Sequence, residues 1–391
     1  MRAVRWFGAV RAPRALAAVA AIGLLSIHAT VGSAATIRVI NADGPGEGLN
    51  DPTMVAPVGG NTGTTIGEQR LIALQYAADQ WAKRLISPVE IRISANFDVL
   101  QCDSDSVTLG SAGPEDLFYN FTGAPRADTY YASALADALA GMDLAPDGND
   151  IDAEFNSAFG TTCPFPAGWY YGLDGNPNGD DSDFVTVVLH ELAHGLGFIT
   201  LVDVDSGARY QGRDDAFMQF LIDTRSGKAF VDMTNAERRS ATEATGFLRW
   251  DGPQVAAASG VLSAGADDLG RVEMYAPAIA QQGSSLSHWS DALDPYQLLA
   301  PYLMGPLHDP GLAVPALLDL GWTAASVSTC AGDCDGSGTV DIAELVTAVR
   351  IALGEIGVAA CAGVDSNGDG MVSIDELVGA VARAQDGCPT D

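Results

Sequence analysis

The feature that most constrains this chain is the segment 190–194, which reads HELAH and follows an apolar run. This pattern predicts a helix over 184–195. Residues four apart lie on one face of a helix, so the imidazoles of His190 and His194 can bind a single Zn²⁺ ion. Glu191 lies beside the first imidazole, where it can take a proton from a water molecule that zinc acidifies. The segment therefore predicts a zinc helix with its own general base.

A catalytic zinc ion usually has three protein ligands and a water molecule, so a third ligand must come from elsewhere in the chain. The chain contains five histidines, and His28 lies in the N-terminal segment that we expect to be removed. The remaining imidazoles are His288, within the tripeptide SHW, and His308, within a proline-rich stretch. We favour His288. The alternatives among the carboxylates are Asp203, Asp205 and Asp215.

Residues 1–35 have the pattern of a secretory signal. Four arginines precede a short apolar stretch, and small residues at 33–35 provide a cleavage site. The apolar stretch is shorter than the roughly 20 residues that span a bilayer, and no later segment is long and apolar enough. We therefore expect a secreted, extracellular protein without a membrane span, with association with the cell surface left open.

Six cysteines fit up to three disulfides, which export would permit. Proximity along the chain favours one bridge between Cys102 and Cys163. The other four cysteines would then form two bridges within the C-terminal part: Cys330, Cys334, Cys361 and Cys388.

The segment before the zinc helix alternates between helical and extended patterns. Apolar residues at helical spacing predict a helix over 67–85, and 132–140 has the pattern of a shorter helix. Strict alternation predicts a strand over 89–97, and 151–155 alternates again. The apolar face expected for the first helix contains Leu71, Leu74, Ala78, Trp81, Ala82 and Leu85. This order of elements predicts an α/β (α+β) lobe with a mixed sheet.

The segment 190–198, HELAHGLGF, resembles the metzincin signature H-E-x-x-H-x-x-G-x-x-H of zinc peptidases. The match extends through Gly197 and ends at Thr200, where the signature has its last histidine. The leishmanolysin-like branch, in which an insertion separates that glycine from the third histidine, is more similar to this chain. Its later motifs correspond to SHW at 287–289 and LMGP at 303–306.

This resemblance implies a metzincin-like catalytic domain that hydrolyses peptide bonds in protein or peptide substrates. The zinc ligands would be His190, His194 and His288, and Glu191 would be the general base. The resemblance also implies that Met304 forms the structural turn beneath the metal. We assign this domain to residues 36–323.

The C-terminal part contains a duplication in which 333–349 and 365–381 match at ten of seventeen positions with an offset of 32. Both copies resemble the calcium-loop pattern, in which oxygen ligands alternate around a glycine turn; the second fits it fully, and in the first Ser337 replaces the usual acid or amide. The first loop would bind Ca²⁺ through Asp333, Asp335, Ser337, Thr339, Asp341 and Glu344. The second loop would bind Ca²⁺ through Asp365, Asn367, Asp369, Met371, Ser373 and Glu376. Thr339 and Met371 would contribute their carbonyl oxygens.

Each calcium loop leads into an apolar-faced helix but is not preceded by one, and this arrangement resembles dockerin type I modules. Glu344 and Glu376 depart from that family, which usually has aspartate at the last loop position. The resemblance implies a small α-helical, calcium-folded module over 333–391 that docks to a partner or to the cell surface. A stabilising module without a partner is the alternative. Residues 324–332 would be the linker.

The net charge of the chain argues against one class of binding partner. The sequence has 50 acidic and 20 basic residues, a net charge of −30, which argues against binding to nucleic acid. We therefore expect a secreted zinc-dependent endopeptidase with a calcium-binding C-terminal module. Two alternatives remain open: a non-catalytic, calcium-dependent binding or docking protein that retains a zinc fold, and a zinc hydrolase that acts on something other than peptides.

Overall fold

The computed structural model describes residues 3–5, 14–17, 34–325, 330–334, 338–366 and 371–388. Within these residues the fold is mixed α+β, with eight α-helices and several small sheets. The helices are α1 (Ile66–Ala82), α2 (Ser133–Ala140), α3 (Phe184–Gly195), α4 (Asn235–Ala241), α5 (Pro253–Ala258), α6 (Ala313–Leu320), α7 (Ile342–Ala352) and α8 (Ile374–Asp386).

The strands are short, and most contain two to five residues. They are β1 (Ala3–Arg5), β2 (Arg14–Ala17), β3 (Ile37–Asn41), β4 (Leu85–Ile86), β5 (Ile91–Asp98), β6 (Ser106–Thr108), β7 (Gly110–Pro114), β8 (Asp116–Tyr119), β9 (Thr129–Ala132), β10 (Ile151–Asn156), β11 (Trp169–Tyr170), β12 (Ser182–Asp183), β13 (Asp214–Asp215), β14 (Leu221–Asp223), β15 (Lys228–Ala229), β16 (Leu248–Trp250), β17 (Val272–Glu273) and β18 (Thr323–Ala324). The chain divides into two compact units with a boundary after Thr323, and the short segment Lys83–Leu85 groups with the second unit.

One four-stranded sheet of the first unit contains the strands that alternation predicts. Its order is β3-β5-β10-β7, and β7 alone runs antiparallel, so the sheet is mixed. Along β5 every second side chain from Ile91 to Phe97 is buried, as the alternation requires. The Phe97 ring lies 5.6 Å from that of Phe155 on β10 and 5.4 Å from that of Phe184 at the start of α3. These ring contacts pack the first turn of α3 against the sheet.

Helix α1 ends at Ala82, three residues earlier than predicted, and its buried face is rotated from the expected one. Leu71, expected to be buried, is 37% exposed. The buried apolar residues are Ala73, Leu74, Ala77, Ala78 and Trp81. The small alanines permit close packing against α3, and the Trp81 indole N–H donates to the Leu189 carbonyl at 3.1 Å.

The long segment between Gly197 and His288, for which the sequence pattern predicts no fold, builds an antiparallel sheet of order β15-β14-β16-β17. Its core is aromatic: the fully buried Trp250 lies 5.7 Å from the ring of Phe198 and 6.0 Å from that of Trp289. The carboxylate of Asp319 on α6 accepts from the Trp250 indole N–H at 2.9 Å. These contacts place the residues that follow α3 and the residue that follows His288 in one core.

The second unit is small and contains α7, α8 and two of the three disulfides. The disulfides are Cys102–Cys163, Cys330–Cys388 and Cys334–Cys361, which confirms the expected distribution. The buried cluster of this unit consists of Ala348, Ile351, Cys361, Val364, Val372 and Ala380. A core of this size is near the lower limit for independent stability, and the two disulfides compensate for it.

Little of the predicted secretory signal lies in the described part of the chain. Strand β1 pairs in parallel with β6, and β2 pairs in parallel with β8. These pairings do not test removal of the segment, so the signal remains a prediction. No helix among the described residues combines the length and the apolar character needed to cross a membrane.

Candidate metal centre

Helix α3 begins and ends where its sequence predicts. The Asp183 carboxylate caps the helix: its Oδ2 accepts from the Thr186 N–H at 2.8 Å and from the Thr186 hydroxyl at 2.6 Å. Every residue of the helix is buried. Just beyond its C-terminal end, the Leu196 carbonyl accepts from the Trp322 indole N–H at 2.9 Å. The helix is therefore held along its length and at both ends.

The structure brings three histidines together at this helix. Nε2 of His190 lies 3.1 Å from Nε2 of His194 and 3.1 Å from Nε2 of His288. All three rings are buried, and one nitrogen of each lies within 4.8 Å of the others. His190 and His194 come from successive turns of α3, whereas His288 comes from a segment 94 residues after His194.

The second nitrogen of each ring shows which tautomer is present. Nδ1 of His190, His194 and His288 lies 2.7, 2.8 and 2.9 Å from the carbonyl oxygens of Leu298, Phe198 and Ser284, respectively. A carbonyl oxygen only accepts, so each Nδ1 carries the proton. Each Nε2 of a neutral ring then presents a lone pair to the other two.

These three lone pairs make the centre suitable for a metal ion. Burial lowers the pKa of His194 to about 4 and lowers the pKa values of His190 and His288 well below the ordinary value, so the rings are neutral. The unprotonated Nε2 of His190 lies 3.1 Å from each of the other two, and lone pairs at this distance repel one another unless a cation lies between them. A buried set of neutral imidazoles oriented by carbonyl groups is a donor set that zinc prefers. The buried three-histidine group can therefore hold a metal ion such as zinc.

The other candidates for the third ligand lie in different contacts. Nε2 of His308 contacts Oδ2 of Asp183 at 2.8 Å. Asp203 accepts from the hydroxyl of Ser206 at 2.6 Å, and Asp205 accepts from the amide of Gln282 at 2.8 Å. None of these three candidates joins the three-histidine group.

Asp215, the remaining candidate, is buried behind the loop that follows α3. Its carboxylate accepts from the Thr200 hydroxyl at 2.9 Å, the Leu201 N–H at 2.8 Å and the Met218 N–H at 2.7 Å. Burial raises its pKa to about 6. The backbone N–H of Thr200 donates to the hydroxyl of Ser287 at 3.1 Å. The position where the short signature has its third histidine is therefore attached to the residue that precedes His288.

Glu191 is buried beside the three imidazoles. One of its oxygens accepts from the Ala112 N–H on β7, and Oε1 is buried without a hydrogen-bond partner among the described residues. Burial raises its pKa to about 8. A Cβ on Gly110 of the same strand would lie 3.3 Å from Cγ of Glu191. The edge strand thus packs closely on the glutamate and leaves one carboxylate oxygen available.

A cleft of about 650 Å³ opens at Glu191, His194 and His288. One part of its wall is apolar and comes from the loop that follows α3: Ile199, Leu201, Val202, Val204 and Ala208. The remainder carries polar side chains, among them Asp203, Arg209, Gln211, Gln282, Ser285 and Ser287. A cleft of this size beside the candidate metal centre can accommodate a ligand.

The structure corrects the expectation for Met304. Its side chain is 69% exposed, so it does not pack beneath the imidazoles. The Tyr296 hydroxyl donates to the Tyr302 carbonyl at 2.7 Å and accepts from the Met304 N–H at 3.4 Å, which holds this backbone at the surface. The group that contacts the metal centre from this region is the carbonyl of Leu298, through His190.

The predicted calcium ligands are described in part. Asp335, Ser337, Asn367 and Asp369 lie outside the described residues. In the first loop, Asp333 accepts from the Gly338 N–H at 2.8 Å. Glu344 accepts from the Cys334 and Asp341 N–H groups at 2.6 and 2.8 Å.

The second calcium loop repeats the glutamate contacts of the first. Glu376 accepts from the Ser366 N–H at 2.9 Å and the Ser373 N–H at 2.8 Å. The last glutamate of each loop therefore contacts the backbone at the second and ninth positions of its own loop. The other predicted ligands Thr339, Asp365 and Met371 lie within the described residues. The duplication is thus present in the hydrogen bonds as well as in the sequence.

Sequence reasoning missed one feature of the cleft, a contact between Tyr130 and Gln211. The Tyr130 hydroxyl donates to Oε1 of Gln211 at 2.9 Å. The two residues are 81 positions apart, and no local pattern connects them. The sequence signal nearest to this contact is the polar segment RYQGR at 209–213, which is typical of a loop.

Comparison with known proteins adds no assignment, because no family model, curated protein or solved structure matches this chain.

Proposed function

We propose that the protein is a secreted, zinc-dependent endopeptidase of the metzincin type, similar to the leishmanolysin-like branch, with a calcium-binding C-terminal module. The observation that carries the proposal is the convergence of His190, His194 and His288 beside the available Oε1 of Glu191 at one cleft. A structural zinc site has no need of such a carboxylate, and it usually has four protein ligands. Three protein ligands and an adjacent base are the arrangement of a catalytic site.

Nε2 of the three histidines would hold the zinc ion. Their Nδ1 protons, donated to backbone carbonyls, fix the ring orientation and strengthen the nitrogen donors. Nitrogen donors favour zinc over calcium and magnesium, which prefer oxygen ligands. When bound, zinc acts as a Lewis acid that polarises a carbonyl group and acidifies water.

Glu191 would move the proton during hydrolysis. Its Oε1 takes a proton from the attacking water, and the same atom later gives that proton to the amine that leaves. The Ala112 N–H holds the other oxygen, and Oε1 of this cleft-lining residue has no hydrogen-bond partner among the described residues. Burial excludes bulk water from the carboxylate and leaves proton transfer to the reacting groups.

The decisive experiment measures hydrolysis of casein by the zinc-loaded protein that lacks the predicted secretory signal, residues 1–35. Glu191→Gln keeps the shape of the side chain and removes the base, so we expect a loss of roughly 10²–10⁴-fold in rate. Glu90→Gln, an exposed glutamate paired with Arg38, is the matched control and should keep full activity. Equal cleavage by the parent and Glu191→Gln would refute the proposal. Absence of cleavage by the parent would favour a non-catalytic binding protein.

We assign the second unit the role of a calcium-folded, dockerin-like module. The support is the duplicated pattern together with the contact of the first residue of the loop with its sixth: Asp333 accepts from Gly338, which has a φ of +79°. Calcium loops need a glycine at this place for the sharp turn. Binding of two Ca²⁺ ions per chain in calorimetry would support the assignment, and the absence of calcium binding would refute it.

A further inference from the structure

Gln211 has an unusual backbone conformation at the wall of the cleft. Its φ is +48° and its ψ is +26°, in the left-handed region that residues other than glycine and asparagine rarely adopt. Strained residues of this kind persist where the surrounding structure holds them, and they cluster at functional sites. Gln211 lines the same cleft as Glu191, His194 and His288.

The side-chain amide of Gln211 has a fixed orientation because of Tyr130. The Tyr130 ring is buried, and it packs edge-to-face with the rings of Tyr119 and Tyr210 at 5.2 and 5.6 Å. The Tyr130 hydroxyl donates to Oε1 of Gln211 at 2.9 Å. The carbonyl end of the amide therefore points to Tyr130, and Nε2 is the end that has no protein partner among the described residues.

Other polar side chains of the cleft are engaged in contacts with the protein. The amide of Gln282 donates to Asp205 at 2.8 Å. The Arg209 guanidinium pairs with Asp214 at 2.8 Å and donates to the Val231 carbonyl at 2.5 Å. The amide of Gln211 differs from them, since its hydrogen-bond donors remain for a ligand.

We propose that Gln211 is a substrate-binding residue whose Nε2 donates to a backbone carbonyl of a polypeptide in the cleft. The ligand must be an acceptor, because the available group is a donor. It is best uncharged: the one arginine of the cleft wall is paired with Asp214, and the chain has a net charge of −30 that opposes anions. A peptide carbonyl meets both conditions. This inference rests on the proposed peptidase function and adds a determinant of substrate affinity to it.

Two substitutions separate binding from structure. Gln211→Glu keeps the size of the side chain and the acceptor for Tyr130 but replaces the N–H donors with a carboxylate oxygen. Gln211→Gly removes the side chain and relieves the left-handed backbone, so it should not lower the melting temperature. Gln282→Ala is the matched control, since it removes a cleft amide that is already engaged with Asp205.

The assay measures KM and kcat for an internally quenched peptide that spans the casein bond cleaved fastest by the parent. Loss of one uncharged hydrogen bond should raise KM by about threefold to tenfold in both Gln211 variants and leave kcat within about twofold. Zinc content and melting temperature should equal those of the parent. An unchanged KM in Gln211→Gly, or an equal rise in Gln282→Ala, would overturn the proposal.

A binding measurement keeps this test independent of the peptidase proposal. Fluorescein-labelled casein is titrated with zinc-loaded Glu191→Gln, with and without Gln211→Gly, and fluorescence anisotropy gives Kd. If the parent cleaves nothing, the peptidase proposal fails, but a Kd that rises about threefold to tenfold with Gln211→Gly still supports the role of Gln211 in binding. Equal Kd values, or no binding of casein by either variant, would refute it.

Discussion

Removal of His288 should remove most of the stabilisation of the first unit by zinc. Its Nε2 lies 3.1 Å from that of His190, so His288→Ala leaves two of the three converging nitrogens. A ligand that binds only the folded chain stabilises it by about 2.7 kcal/mol at 100 times Kd. Loss of even an outer-shell partner weakens metal binding by roughly 10–100-fold. With Kd raised about 100-fold, the same zinc concentration contributes only about 0.4 kcal/mol.

Thermal unfolding of the chelator-stripped chain, with and without added zinc, measures this difference. For a domain of this size we expect the melting temperature of the parent to rise by roughly 5 °C and that of His288→Ala by about 1 °C. The matched control is His308→Ala. Since His308 contacts the cap residue Asp183, its removal should lower stability equally with and without zinc. A full zinc effect in His288→Ala, or its loss in His308→Ala, would refute the assigned ligand set.

Three further predictions concern pH, a tight turn and calcium. Burial, with Asp150 nearby, raises the pKa of Asp137 from 3.8 to about 8, so the folded chain keeps a proton that the unfolded chain releases. Stability is therefore lost as pH rises between these values, and urea unfolding of the neutral mimic Asp137→Asn should lack that loss. Gly207→Ala should lower the free energy of unfolding, measured by thermal denaturation, by about 2–4 kcal/mol, because the new Cβ would collide with the backbone of α4. The control Gly212→Ala also lies at positive φ but in open space, so it should cost about 1 kcal/mol. Glu376→Ala should reduce calorimetric calcium binding from two sites to one, and an unchanged stoichiometry would contradict the assigned second loop.

The elements that the sequence predicts well are those determined by nearby residues. Helix α3 has its cap, its apolar run and its terminal glycine within one short stretch, so its bounds follow from local chemistry. Strand β5 follows from its alternation, because one face is buried. Local reasoning predicts the buried face of helix α1 incorrectly. Its alanine-rich face packs closest to α3, and the spacing of large apolar residues does not reveal that preference.

The position of the third histidine depends on contacts that no local pattern contains. Counting histidines reduces the imidazole choice to His288 and His308, and the first of these lies beside α3 through long-range contacts such as that between Thr200 and Ser287. A motif resemblance identifies a residue by its sequence position, but it does not determine whether the side chain of that residue is buried. Met304 shows this, since the hydroxyl of Tyr296 holds its backbone and leaves its side chain exposed.

The cleft wall is the least predictable part of the site, and the reason is physical. The wall comes mainly from residues within 199–211 and 282–288, which contain no α-helix or strand, so no period is present there to predict the structure. The side-chain amide of Gln211 accepts from Tyr130 on β9, which lies 81 residues earlier in the chain. Chemistry at the metal needs only a few residues at fixed spacing on a helix, so it leaves a motif. Recognition of a substrate needs surfaces assembled from distant segments, so its determinants are found only once those segments are placed together in space.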